Sequence, residues 1–245
     1  MPDTDRLVPA ATDKIGEMGN AFYFVPPTLA KGRELGLKGF PFYILGRGGV
    51  LGDVDASVIV SAFGYFAPAV IHRHWEAARA VVDPRTAGRE YLECSAAFGR
   101  EKFSGLDNLE AFCDAAQAVN SAADPAGLAL YAGISAEPLA LDPPARAMQL
   151  LSVLREFRGS VHLVAVLAQL LEPRIAHFIR RPDFFATFGY GPEQVPEVTD
   201  EHLAKLAAAD ELTDRMVAQA YSVLDGSQAD ALIDGLEAME KALAT

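Results

Sequence analysis

The sequence predicts an all-α protein, and three observations carry that expectation. Apolar residues recur at helical spacing in about eleven segments, most of those segments stop at glycine or proline, and strand-like alternation is scarce. A composition of 51% apolar and 22% charged residues over 245 positions supplies a real core and is not that of a disordered or fibrous chain.

Taken in order, Thr12 or Asp13 can cap a first helix carrying Ile15, Met18, Ala21, Phe22 and Val25. Pro26-Pro27 stops it and starts a short helix to about Leu35. The run Phe40 to Leu45 is compatible with a buried strand, and Gly46, Gly48, Gly49 and Gly52 behind it imitate a dinucleotide loop. The glycine spacing fails the G-x-G-x-x-G fingerprint at Leu51, so close helix approach or a sharp turn is the better use for them. Helices follow from Asp53 or Asp55 to Phe66, from Pro68 to about Val82, from Pro84 to Phe103, from Leu106 to Ala122 and from Pro125 to about Ile134. Pro138, Pro143 and Pro144 mark the best linker, which suggests a helical N-terminal region over 1–137 and a C-terminal region over 138–245, packed as one unit. Beyond it, Gly159 should break an amphipathic helix from Pro144 to Phe157, and an apolar helix from Val161 to Leu171 follows. Pro173 restarts the chain, Phe184, Phe185, Phe188 and Tyr190 form a looser aromatic patch, and Thr199-Asp200-Glu201 is a helix start. Two acidic helices meeting near Gly226, with Ser227 as cap, finish the protein.

Charge narrows the function. The net charge is −12, and from Asp183 onward thirteen acidic residues face only Lys205, Arg215 and Lys241. Nucleic-acid affinity comes largely from lysine and arginine neutralising phosphates, so this quarter of the chain makes DNA a doubtful partner. The longest uncharged stretch, 56–71, is too short and too polar to span a bilayer. Residues 1–13 lack the basic and apolar regions of a signal peptide, so a cytoplasmic location is expected. Cys94 and Cys113 lie on separate segments without CxxC spacing and are expected as free thiols.

Two blocks resemble a known family: RELGLKGFPFYILGRGGVLGDVDASVIVSAFGYFAPAV at 33–70 and MQLLSVLREFRGSVHLVAVLAQL at 148–170. They are similar to an actinobacterial family of somewhat longer helical proteins labelled helix-turn-helix or MarR-like. The resemblance implies a helical N-terminal region packed on a winged-helix-like C-terminal one, with the helix from about Thr199 to Ala209 in the place of a recognition helix. It also implies a regulator lineage, and a homodimer through the terminal helices is expected. This sequence departs where the family has a glycine-containing wing: Ala208 runs through Leu212 straight into Thr213, so the C-terminal region reads as a degenerate winged helix. The presumed reading helix offers Glu201, His202, Lys205 and Asp210 and no arginine, a poor set for base edges.

The candidate ligand-binding residues are Tyr43, Arg47, Tyr65 and His72 from the first block and its flank, and Arg158 and His162 from the second. Arginine offers a bidentate fork and histidine a switchable donor, so Arg47, Arg158 and His162 facing an apolar interior would suit a small, mainly apolar ligand with an anionic or aromatic part. Arg47 can equally pair with Asp53 or Asp55, and Arg158 with some acid. The cofactor is unknown. Haem is one candidate, with His72, His162 or His177 as axial ligand, since His72 and His74 at i and i+2 cannot share a helix face. No Ser-His-Asp order, HExxH or P-loop is present. Two rivals stay open beside ligand binding: an active transcription regulator, which would need a basic surface from Arg146, Arg155, Arg158, Arg174, Arg180 and Arg181, and an enzyme using the helical cavity, haem-dependent or in natural-product biosynthesis.

Overall fold

A computed structural model describes residues 4–244. Among them are twelve α-helices, three short 3-10 turns and no strand. The helices are α1 (Thr4–Met18), α2 (Pro26–Glu34), α3 (Phe40–Gly48), α4 (Ala56–Phe63), α5 (Pro68–Arg79), α6 (Pro84–Phe103), α7 (Leu109–Ala122), α8 (Ala129–Ser135), α9 (Pro143–Ala168), α10 (Pro173–Arg180), α11 (Asp200–Tyr221) and α12 (Gly226–Leu243).

The centre is α9, a 26-residue helix that touches α1, α6, α7, α8, α10 and α11. Its burial is almost all-round over Ala145–Phe157, as expected of a helix enclosed by others. Gly159 does not interrupt it. A glycine costs a helix interior about 1 kcal/mol, and one buried Leu or Phe side chain recovers more than that, so the packing of α9 on both sides of Gly159 carries the helix through.

Four further sequence expectations are corrected. Phe40–Leu45 is helical, entered from Gly39 at φ 70° with Pro41 in the first turn. A short apolar run buried on all sides carries no period, so strand and helix look alike in sequence there. Thr12 and Asp13 lie inside α1 and cap nothing; the helix starts at Thr4, tolerates Pro9 and ends at Met18, before Ala21, Phe22 and Val25. Residues 124–128 form a turn, and α8 begins only at Ala129. Asp225 caps α12, accepting from Gln228 N at 2.8 Å, while Ser227 merely donates to Asp225. By contrast Thr199 caps α11 as expected, accepting from His202 N at 3.3 Å.

The glycines after α3 serve close approach. A Cβ on Gly49 would stand 2.0 Å from Pro84 O, so the chain there lies flat against the start of α6. Trp75 is fully buried beneath the same turn and donates its indole N–H to Val54 O at 2.9 Å. Cys94 and Cys113 are free thiols, both held protonated by burial at about 11 and about 12 respectively.

One large apolar cluster runs from Leu7 to Met239, and a smaller one joins the end of α9, α10 and the first half of α11 through Val166, Leu171, Ala176 and Leu206. Of the terminal helices, α12 lies on α1 and α7 and buries Leu232, Leu236 and Met239, while α11 leaves Leu203 and Met216 exposed. No helix among the described residues is long and apolar enough to cross a membrane.

Candidate binding cleft

The first block folds as α3, α4 and the start of α5, the second as α9, and a half-open cavity of about 240 Å³ lies between them. Gly64 makes this possible. It ends α4 at φ 63°, a left-handed conformation that L side chains adopt at a cost, and the turn it permits delivers Tyr65 and Phe66 to the cavity wall. Thr12 of α1 and Phe188, from the irregular connection between α10 and α11, complete the enclosure.

The floor is a buried ionic network. Arg47 on α3 grips Glu156 on α9 with both oxygens engaged, Nε to Oε1 at 2.7 Å and Nη2 to Oε2 at 2.8 Å, and donates from Nη1 to the Tyr43 hydroxyl at 3.1 Å. Its guanidinium stands 4.4 Å from the centre of the Phe63 ring. Arg155 shares the same carboxylate, Nη1 to Oε1 at 3.2 Å, and donates to the Tyr23 hydroxyl at 3.2 Å. Glu156 is 2% exposed. Burial pushes its carboxyl up, but the two guanidiniums, Arg47 first, outweigh burial and hold it below the usual carboxylate range. Burial raises the Tyr23 hydroxyl well above its ordinary value, so it stays a neutral donor and acceptor. Buried ion pairs often stabilise a fold less than apolar side chains of equal volume would. This pair therefore makes better sense as a means of fixing cations at a cavity wall than as a source of stability.

The walls are aromatic. Phe188 stacks on Phe66 at 3.8 Å and 10°, and on its other face lies His177, also at 3.8 Å. Two hydrogen bonds hold this connection in place: Ala67 N donates to Phe188 O at 2.9 Å, and the Tyr190 hydroxyl donates to Tyr65 O at 3.2 Å.

Five buried side-chain polar atoms among the described residues lack a partner, and three of them, Thr12 Oγ1, Tyr65 Oη and Arg158 Nε, belong to residues lining this cavity. These three atoms have almost no accessible surface, so they lie behind the cavity wall and not on its open face, each at a cost of about 1–3 kcal/mol.

Of the residues singled out in the sequence, Tyr43, Arg47, Tyr65 and Arg158 line the cavity together, while His72 and His162 do not. His72 is exposed on α5. His162 lies within α9 and not at a helix start, and it turns toward α11. The Thr213 hydroxyl spends its proton on Ala209 O at 2.7 Å, so His162 Nδ1, 3.0 Å from that oxygen, is the donor. His162 and His177 each face the ring of Tyr65, with ring centres 6.4 Å apart in both cases. No group of three or more His, Cys, Asp or Glu able to hold a metal occurs among the described residues. Arg47 pairs with Glu156 and not with Asp53 or Asp55; Asp53 lies 3.5 Å from Arg79. Arg158 does pair with an acid, Asp214 of α11, at 3.1 Å. Sequence reading missed Glu156 and Tyr23, and placed Arg155 among the arginines of a DNA-facing surface. The available signal was Arg155-Glu156 itself, which brings the one acid of α9 into its most buried stretch.

Of the six arginines considered for a basic surface, five are ion-paired and one is stacked. Arg146, Arg155, Arg158, Arg174 and Arg180 each pair with a carboxylate, Asp114, Glu156, Asp214, Glu172 and Asp210 respectively, and Arg181 lies over the Phe184 ring. On α11 Lys205 bonds Glu201 at 2.7 Å, and the exposed side chains of its first half include Leu203, Ala204 and Ala207.

The molecule is thus an all-helical protein with a polar-floored, aromatic-walled cleft and a helix pair, α10 and α11, beside it. A model of the Helix-turn-helix family matches residues 8–245, and the chain belongs to that family. No curated protein and no solved structure matches it.

Proposed function

We propose that this protein binds a small, mainly apolar ligand in the cleft between α3–α4 and α9, and that it is a MarR-like branch of the helix-turn-helix family in which DNA binding is weak or lost. The observation that carries the reading is an aromatic-walled cavity whose floor is the Arg47–Glu156–Arg155 network. Ligand sites are built this way, apolar with a few fixed polar groups. The matched charges of the surface arginines and the acidic, apolar exposed side of α11 support the second half.

One observation favours a rival, a working ligand-responsive regulator: Arg158 lines the cleft and pairs directly with Asp214 of α11, so occupancy would be felt along that helix. Fluorescence anisotropy with a labelled 30-base-pair duplex of mixed sequence and its upstream genomic region, at low salt, separates the two. We expect no saturable binding to either; sequence-selective binding that persists near physiological ionic strength returns the protein to the regulators.

A further inference from the structure

Resting on the small-ligand reading, the charge balance of the cleft points further, to the chemical class of its occupant. We propose that the ligand is a monoanion with a flat apolar body, its anionic group bound at Arg155.

Three guanidinium groups line the cavity, those of Arg47, Arg155 and Arg158, against a single carboxylate, Glu156. Asp214 reaches in from α11 to neutralise Arg158. Arg47 takes both oxygens of Glu156 in a fork, the arrangement in which guanidinium and carboxylate bind best. Arg155 is left with a share of one oxygen already bonded to Arg47, and Glu156 is the only carboxylate it pairs with among the described residues. One positive charge at the cavity therefore has no counter-charge of its own.

The hydrogen-bond inventory agrees with the charge. Arg155 bonds through Nη1 alone, so its Nε and Nη2 are unspent. Both nitrogens can only donate. What they lack is an acceptor, and a carboxylate or sulfonate accepts without donating. A dianion would bury one uncompensated negative charge, and a cation would add to the positive one. Phe63, Phe66 and Phe188 leave the rest of the space to a flat aromatic body.

Isothermal titration calorimetry of the full chain with 1-naphthoate and its neutral near-isostere 1-naphthamide tests this. Naphthoate should bind about tenfold or more tightly, the worth of a charge-assisted hydrogen bond over a neutral one. Arg155→Met should erase the difference between the two, and Arg155→Lys, which keeps the charge, should retain it. Equal affinity of the wild-type protein for the pair, or a preference for the amide, overturns the anion proposal and leaves the cleft as a site for neutral molecules. Binding of neither overturns the small-ligand reading beneath it as well. The wild-type comparison decides even where a variant fails to fold.

Discussion

At the scale of single residues, Glu156 bears the most. It is the buried carboxylate that pairs with two half-buried guanidiniums, so Glu156→Leu would leave Arg47 and Arg155 without an anion. Removing one partner of a buried pair costs about 3–5 kcal/mol, and urea unfolding should show a loss of that size; a change below about 1 kcal/mol would mean the arginines are solvated after all. His177 is a second sensitive point. Burial, with Arg181 nearby, pushes its imidazole down to about 4, and its Nε2 has no partner. A group that binds its proton less readily when folded favours the unfolded state as the pH falls. The associated stability is complete above the ordinary histidine value near 6.5 and is lost progressively between there and about 4, a loss on the order of 3 kcal/mol. His177→Phe should flatten the melting temperature between pH 7 and pH 5 relative to wild type, and an unchanged slope would remove His177 as its source. Neither role could be read from the sequence. Glu156 is the one acid of α9, yet one of its two arginines is its neighbour and the other lies 109 positions away, a pairing no local pattern shows.

Elements were more legible than residues where punctuation was strong. Pro26, Pro68, Pro84 and Pro173 each open a helix, and Thr199 caps α11, because fixed φ and side-chain acceptors act locally. The errors fell where tertiary packing overrides local preference: Phe40–Leu45, with no period to read, and Gly159, whose helix is held by its neighbours. Two glycine substitutions show the difference. A Cβ on Gly159 meets nothing within 4 Å, so Gly159→Ala should stabilise the protein by about 0.5–1 kcal/mol through helix propensity. A Cβ on Gly49 would collide with backbone at Pro84, so Gly49→Ala should cost about 1–3 kcal/mol. Chemical denaturation of both variants reads the two signs directly; destabilisation by Gly159→Ala would mean that the helix is kinked or broken there.

Across the whole molecule, the all-α class followed from helical spacing and breakers, and the shared blocks at 33–70 and 148–170 turned out to face each other across one cavity. Four of the six residues singled out, Tyr43, Arg47, Tyr65 and Arg158, line it, because residues that interrupt apolar segments with charge or a phenol must find a polar setting somewhere. His72 lies on the exposed face of α5 and His162 turns toward Thr213 of α11, so neither borders the cavity. The most direct test of the central claim, that this cleft is built to hold a small molecule, is a crystallographic soak of the protein with a library of small aromatic acids, amides and amines. Density for acids between Arg155 and the Phe66–Phe188 stack is the predicted result. A cleft that stays occupied by water alone, with fragments settling only elsewhere on the surface, would contradict it.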